Sequence, residues 1–144
     1  MGKTGDRGQE ITDGLKRKGM KLTPQRLEII RLLSRDNNHP SARALLRKVR
    51  ETMPKVSTST VYYTLNMLKK EGLIKELEFD NMDSRYEARM EDHIDLICEK
   101  CGAIENFDRD VADVPALIEA ATGFRSRKMR YEYYGFCRKC RKED

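Results

Sequence analysis

The four cysteines of this chain form two CxxC pairs, Cys98-Glu-Lys-Cys101 and Cys137-Arg-Lys-Cys140, and no cysteine stands outside them. Two such pairs oblige the second half of the chain to fold back until four sulfurs meet. Four soft thiolates suit a closed structural Zn2+, which has no geometric preference of its own and is left with no position for water or substrate. The 35 residues between the pairs suffice for a small folded unit, and Gly102 lets the backbone turn sharply behind the first pair. Two disulfides would need an oxidising compartment, and against that stands the polar opening Met1-Gly-Lys-Thr-Gly-Asp-Arg-Gly8, which has no apolar signal character. A thioredoxin-like redox pair would need a strand-to-helix setting, while iron in a rubredoxin-like arrangement shares the ligand chemistry.

At 144 residues the chain makes one ordinary domain or two small ones, and a small one gains from a staple. A structural zinc contributes on the order of 10 kcal/mol to folding, more than a core of that size supplies. No apolar run approaches the ~20 residues needed to span a bilayer, so a soluble, cytoplasmic protein without a membrane partner is expected. Charge divides the chain unevenly. Residues 1–90 hold 19 Lys/Arg against 12 Asp/Glu, a net of +7, and residues 91–144 hold 10 against 12, a net of −2. A basic first half points to a polyanionic partner; the second half suits metal and self-association.

Turn signals cut the first half into short helices. A polar helix is predicted over Gln9–Lys18, ending at Gly19, and Thr23-Pro24 supplies the cap and first-turn proline of a second, with Leu27, Ile30 and Leu33 at apolar spacing. Asn37-Asn38-His39-Pro40 reads as a loop in which Pro40 holds His39 extended. Ser41 caps a third helix carrying Leu45, Leu46 and Val49, closed by Met53-Pro54. A fourth follows Ser57-Thr-Ser-Thr60 and runs to about Glu71. Its Val61, Leu65 and Leu68 face a core, which leaves Ser59, Tyr62, Tyr63, Asn66 and Lys69 on the exposed arc. A strand over Leu73–Phe79, a turn at Asp80–Asp83 and a strand over Ser84–Arg89 complete a hairpin. Helices followed by a hairpin describe a winged helix-turn-helix over residues 1–86, whose last helix enters the major groove of double-stranded DNA. A small helical domain with a decorative hairpin is the plainer alternative.

Residues 87–144 change character. Asp92–Cys98 alternates, Ala103–Phe107 is a short strand, and Asp113-Val114-Pro115 begins a helix that stops at Thr122-Gly123. Phe124–Phe136, with Tyr131, Tyr133 and Tyr134, reads as one long strand leading into the second CxxC. The result is an α+β domain with both zinc knuckles at strand ends. An edge so aromatic on so small a domain calls for a cover, and a two-fold partner is the simplest.

Read together, Lys21-Leu-Thr-Pro-Gln-Arg26, His39-Pro-Ser-Ala42, Ser57-Thr-Ser-Thr-Val-Tyr-Tyr-Thr-Leu65, Glu71-Gly-Leu-Ile74, Asp92-His-Ile-Asp-Leu-Ile-Cys-Glu-Lys-Cys-Gly102 and Tyr134-Gly-Phe-Cys137 resemble the ferric uptake regulator (Fur) family of metal-dependent repressors. The pieces occur in the family's order across nearly the whole chain. The resemblance implies a homodimer whose winged-helix domains grip a palindromic operator. It implies that Tyr62 reaches base edges and that Lys21 enters the minor groove; Ser59, Tyr63 and Asn66 share with Tyr62 the exposed arc of the fourth helix and are the further candidates for DNA contact. Many members carry Arg or Asn where Tyr63 stands; aromatic packing beside the helix is the other reading of that residue.

The chain's two histidines, His39 and His93, fall on positions that match the family's regulatory metal site at the domain hinge, and Glu87, Asp95 and Asn106 are the remaining matching positions. A ligand from each domain would let the metal set their relative angle. Many relatives place a histidine at Asp95 and a carboxylate at Asn106. Two imidazoles, two carboxylates and an amide make an oxygen-rich set that tilts toward Fe2+ or Mn2+ and away from Zn2+ or Ni2+. Glu105 or a water is the alternative to Asn106. Asp92 and Met129 stand where some relatives carry the histidines of a third site, so two metals per subunit are expected. Peroxide-sensing members oxidise ligand histidines that match His39 and His93.

A metal-dependent repressor is therefore the leading expectation, and a repressor released by peroxide the runner-up within the family. From another class, a structural zinc-ribbon adaptor would bind protein partners with no regulatory metal. An enzyme is not expected, since no nucleophile-base-orienter set, phosphate-cradling loop or open zinc position is legible, and no small-molecule substrate is implied.

Overall fold

Three helices of the first half open on a hydroxyl side chain that takes a backbone N–H left over at the helix start. Thr23 Oγ1 accepts from Arg26 N at 3.2 Å, Ser41 Oγ from Ala44 N at 3.1 Å and Ser57 Oγ from Thr60 N at 3.2 Å. In the computed structural model, which describes residues 7–36, 39–79 and 82–142, the helices so started are α2 Pro24–Arg35, α3 Ala42–Thr52 and α4 Thr58–Lys70, preceded by α1 Arg7–Arg17. The chain divides into two units, Met1–Met90 and Glu91–Asp144, so Glu87 belongs to the first.

The first unit is built on one apolar core. Ile11 and Leu15 of α1, Ile29, Ile30 and Leu33 of α2, Leu45, Leu46 and Val49 of α3, and Val61, Leu65 and Leu68 of α4 are all buried in it. On α2 the stripe differs from the expected one: Leu27 is exposed, and the adjacent pair Ile29–Ile30 turns inward instead. After Gly72, at φ +72°, comes the wing, β1 Lys75–Leu77 paired antiparallel with β2 Arg85–Glu87 in the register Lys75↔Glu87, Glu76↔Tyr86, Leu77↔Arg85. Both strands are shorter than predicted, because the ladder covers only these three pairs. The loop expected at Asn37–Asn38 and the wing-turn residues Asp80–Asn81 lie outside the described residues.

The second unit is a three-stranded sheet in the order β4-β3-β5 with one helix. Here β3 Ile94–Cys98 and β4 Ile104–Phe107 form an antiparallel hairpin, and β5 Glu132–Gly135 runs parallel to β3 after α5 Val114–Thr122. Gly123, at φ +75°, ends α5 where the sequence predicted. The long strand expected over Phe124–Phe136 shrinks to Glu132–Gly135, because only these residues find a partner, on Asp95–Cys98. No residue of α5 is buried, and Leu117, Ile118, Tyr133 and Tyr134 stand exposed.

Candidate metal centres and nucleic-acid interface

Parallel pairing of β3 and β5 sends both strands out of the same end of the sheet, with Cys98 opposite Gly135. Each strand then runs into its CxxC, so topology brings the two knuckles together. Glu99 N donates to Gly135 O at 2.8 Å and closes the approach. The sulfurs of Cys98, Cys101, Cys137 and Cys140 all lie within 4.8 Å of one another, and none is in a disulfide. Four sulfurs at about 2.3 Å from a tetrahedral zinc stand about 3.8 Å apart; Cys101 Sγ and Cys137 Sγ are 3.8 Å apart. The backbone N–H groups of Cys101 and Cys137 draw the Cys98 thiol down to about 6, whereas the Cys137 thiol and burial push Cys140 up to about 12. One sulfur is thus poised as a thiolate among neighbours that resist further negative charge, the setting a divalent cation relieves. The donor set fits Zn2+.

The histidines carry a second kind of site. In the first unit His39 Nε2 lies 2.7 Å from Glu87 Oε2, and both side chains are buried. His39 is not extended as expected: its φ is +53°, in the left-handed region. For a non-glycine residue that conformation costs roughly 1–2 kcal/mol. Two hydrogen bonds meet this turn: Arg85 Nη1 donates to His39 O at 2.7 Å and Tyr86 N donates to Pro40 O at 2.9 Å.

In the second unit His93 and Asp95 stand two residues apart, on one face of the sheet, with Nε2 and Oδ1 3.0 Å from each other and both side chains buried. His93 Nδ1 is 2.8 Å from the Glu91 carbonyl, which only accepts, so Nδ1 carries a proton and Nε2 is the nitrogen that faces Asp95, as a lone pair when the ring is neutral. A lone pair against a carboxylate oxygen repels unless a cation or proton lies between them. Asn106 is the cross-strand partner of Asp95 and shares its face, though it is exposed; Glu105 pairs with Leu96 and faces the other way. Register therefore favours Asn106 over Glu105 beside Asp95. Imidazole, carboxylate and amide donors fit Fe2+ or Mn2+.

On α4, the positions Ser59, Tyr62, Tyr63 and Asn66 follow the spacing i, i+3, i+4, i+7 and all are exposed, opposite the buried Val61, Leu65 and Leu68. Lys21 is exposed ahead of α2. Sequence reasoning missed Arg26 as the residue joining these places. Its Nη1 donates to Lys21 O at 2.6 Å, and its guanidinium carbon lies 5.7 Å from the Tyr63 ring centroid, a cation–π distance. Lys69, also on the exposed arc, is held by the wing through Glu76 at 2.9 Å and Glu78 at 3.4 Å.

A winged helix-turn-helix unit and a sheet unit with four clustered sulfurs, each holding an imidazole–carboxylate pair, define a metal-dependent DNA-binding repressor. Residues 17–134 match the model of the ferric uptake regulator family, and the chain belongs to that family. It is 34% identical over 136 residues to the peroxide-responsive repressor PerR of Staphylococcus epidermidis, covering 94% of this chain and 91% of that one. It is 35% identical over 137 residues to the peroxide operon regulator of Bacillus subtilis, covering 94% of each. Among solved structures it is similar to the Helicobacter pylori ferric uptake regulator Fur, which has three functional metal binding sites. The TM-score is 0.77 at 27% identity, over 99% of this chain and 97% of that one. Regulators of this family bind operator DNA and act as dimers. Among the described residues no helix is long and apolar enough to cross a membrane.

Proposed function

We propose that this chain is a homodimeric, cytoplasmic repressor that holds a palindromic operator when Fe2+ or Mn2+ is bound by His39, Glu87, His93, Asp95 and Asn106, with Zn2+ on the four cysteines. The observation that carries this reading is the pair of buried imidazole–carboxylate contacts, 2.7 Å in the first unit and 3.0 Å in the second. Two ligands from each unit would make one ion a strut that fixes their angle, and with it the spacing of the two α4 helices in a dimer. The exposed apolar residues of α5 and β5 support a second copy as their cover. On DNA, Tyr62 reads base edges, Lys21 contacts phosphate or the minor groove, and Ser59, Tyr63 and Asn66 complete the face. The protein acts by binding, without turnover of a small molecule.

A second reading is favoured by the peroxide-responsive relatives at 34% and 35% identity. Bound Fe2+ would initiate cleavage of the peroxide O–O bond and end in its starting oxidation state. His39 and His93, buried against their carboxylates, would be the carbon centres within reach. One peroxide oxygen joins an imidazole carbon, whose hydrogen moves to a ring nitrogen, and the other leaves as water; the two electrons come from the ring, so peroxide is the only oxidant needed. The oxidised ring then no longer holds the ion.

Both readings meet in one experiment. The zinc-loaded protein is titrated onto palindromic DNA anaerobically with Fe2+ or Mn2+, before and after a brief peroxide pulse, with mass analysis of the peptides bearing His39 and His93. Metal-dependent binding supports the repressor. Loss of the iron form to peroxide, with one oxygen atom gained at either histidine and protection by Mn2+, supports the sensor. Binding indifferent to added metal would sink the regulatory site.

A further inference from the structure

Three consecutive residues of β2 grip one short segment of the first unit. Arg85 Nη1 donates to the His39 carbonyl at 2.7 Å, Tyr86 N donates to the Pro40 carbonyl at 2.9 Å, and Glu87 Oε2 lies 2.7 Å from His39 Nε2. Ser41 adds an antiparallel bridge to Arg85. Between these contacts His39 is, among the described residues, the one non-glycine residue with positive φ, at +53°. A residue before proline prefers extended backbone, and a left-handed one persists where its surroundings over-determine it. Such strain marks a place where an orientation is being enforced.

We propose that Arg85 is a positioning residue for the regulatory metal: by holding the His39 carbonyl it keeps the backbone turned and so aims the imidazole at Glu87. The inference rests on the regulatory-site reading above. Glu87 meets the ring and Tyr86 N the carbonyl one residue on, whereas Arg85 donates to the carbonyl of the turned residue itself. Without it the His39–Pro40 peptide relaxes toward the extended form and the imidazole leaves the carboxylate. Arg85 and Glu87 alternate with Tyr86 along the same strand, and all three pair with β1. The wing strand is therefore also the strand that sets the ligand, and a displacement of the wing reaches His39 through a direct hydrogen bond.

The test uses the full-length, zinc-loaded protein with Arg85→Ala and Arg85→Lys, read by Mn2+ titration and, with no added metal, by the backbone chemical shifts and three-bond coupling of His39. Arg85→Ala is expected to weaken Mn2+ binding by about 10- to 100-fold, the usual effect of losing a residue that orients a ligand. Zinc content and helix signal stay unchanged, and the His39 signals move to extended values. Arg85→Lys, which keeps a donor for one carbonyl, recovers most of the affinity. Unchanged Mn2+ affinity in Arg85→Ala, or a His39 backbone that stays left-handed, overturns the proposal. A wild-type protein that takes up neither Mn2+ nor, anaerobically, Fe2+ overturns the regulatory-site reading itself, and is told apart because the resonance measurement needs no metal. Should Arg85→Ala not fold, Arg85→Gln, whose shorter amide reaches the carbonyl poorly, carries the titration with the same two outcomes.

Discussion

The two units reach stability by different means. In the first, buried aliphatic residues from all four helices meet in one cluster, and the caps and the wing register are additions to a core that already exists. In the second, the buried apolar residues among those described are Ile97, Cys98 and Val111, and α5 buries none. So small an interior cannot offset the backbone entropy of the sheet and helix it orders. What closes the deficit has to come from the four sulfurs and from a covering partner. The unit with the larger core carries the proposed DNA-binding face, and the unit with the smaller one carries the four sulfurs and half of the proposed sensing site.

Zinc removal should break that comparison most severely. Cys98→Ser, or a strong chelator, takes away a contribution on the order of 10 kcal/mol. Amide exchange should then show β3, β4 and β5 unprotected and the protein monomeric, while α1 to α4 keep their protection. Acid should act the same way more gently, since thiolates must be deprotonated to bind. Protons compete with zinc for the four sulfurs, so zinc affinity should fall as pH is lowered and the metal should be lost in acid. A dimer with protected strands and no zinc would overturn the four-thiolate site.

The next contrast lies within the first unit, between a base reader and a backbone contact. Tyr62→Ala should narrow the gap between operator and unrelated duplex by about 1–3 kcal/mol. Lys21→Ala should weaken both duplexes alike and flatten the salt dependence by about one unit of slope. Equal losses on both duplexes for Tyr62→Ala would remove it as a reader. Arg26 touches both places, through the Lys21 carbonyl and the Tyr63 ring.

How much of this was legible in the sequence follows the range of the interactions. Hydroxyl caps act within one turn, and Thr23, Ser41 and Ser57 announce their helices. The i, i+4, i+7 spacing of Val61, Leu65 and Leu68 alone separates the buried stripe of α4 from its exposed face. The cysteine pairs disclose the thiolate cluster because a CxxC turn is local, although the parallel β3–β5 pairing that unites them is not. What escaped depends on partners far along the chain. Phe124–Phe136 has strand composition, but strand exists only where Asp95–Cys98 offers an edge. His39 reads as extended because Pro40 follows it, yet its φ is +53° and a guanidinium 46 residues away holds its carbonyl. No local pattern marks Arg85 or Arg26, since each acts through one carbonyl or one ring supplied by the fold.

The smallest expected effect sharpens how the wing is tied to the core. Burial first, and then the Glu76 carboxylate beside it, raise the Tyr86 phenol well above the usual tyrosine value. Glu76 is its cross-strand partner and also holds Lys69 of α4, so the phenol links the wing to the recognition helix. A pKa raised by folding means stability that is complete below the unfolded value of about 10 and is lost as pH climbs past it. Tyr86→Phe should therefore cost about 0.5–1.5 kcal/mol at neutral pH, the net worth of a buried hydrogen bond. Urea unfolding of the first unit between pH 7 and 11 checks this. The wild-type curve should fall in alkali toward that of Tyr86→Phe, which should be flatter. Lys69, raised chiefly by its hydrogen bond to Glu76, loses its contribution in the same direction and leaves a shallow residual slope in the variant. Parallel curves across the whole range would mean that the phenol is a packing group and that the wing is tied to α4 by the exposed lysine alone.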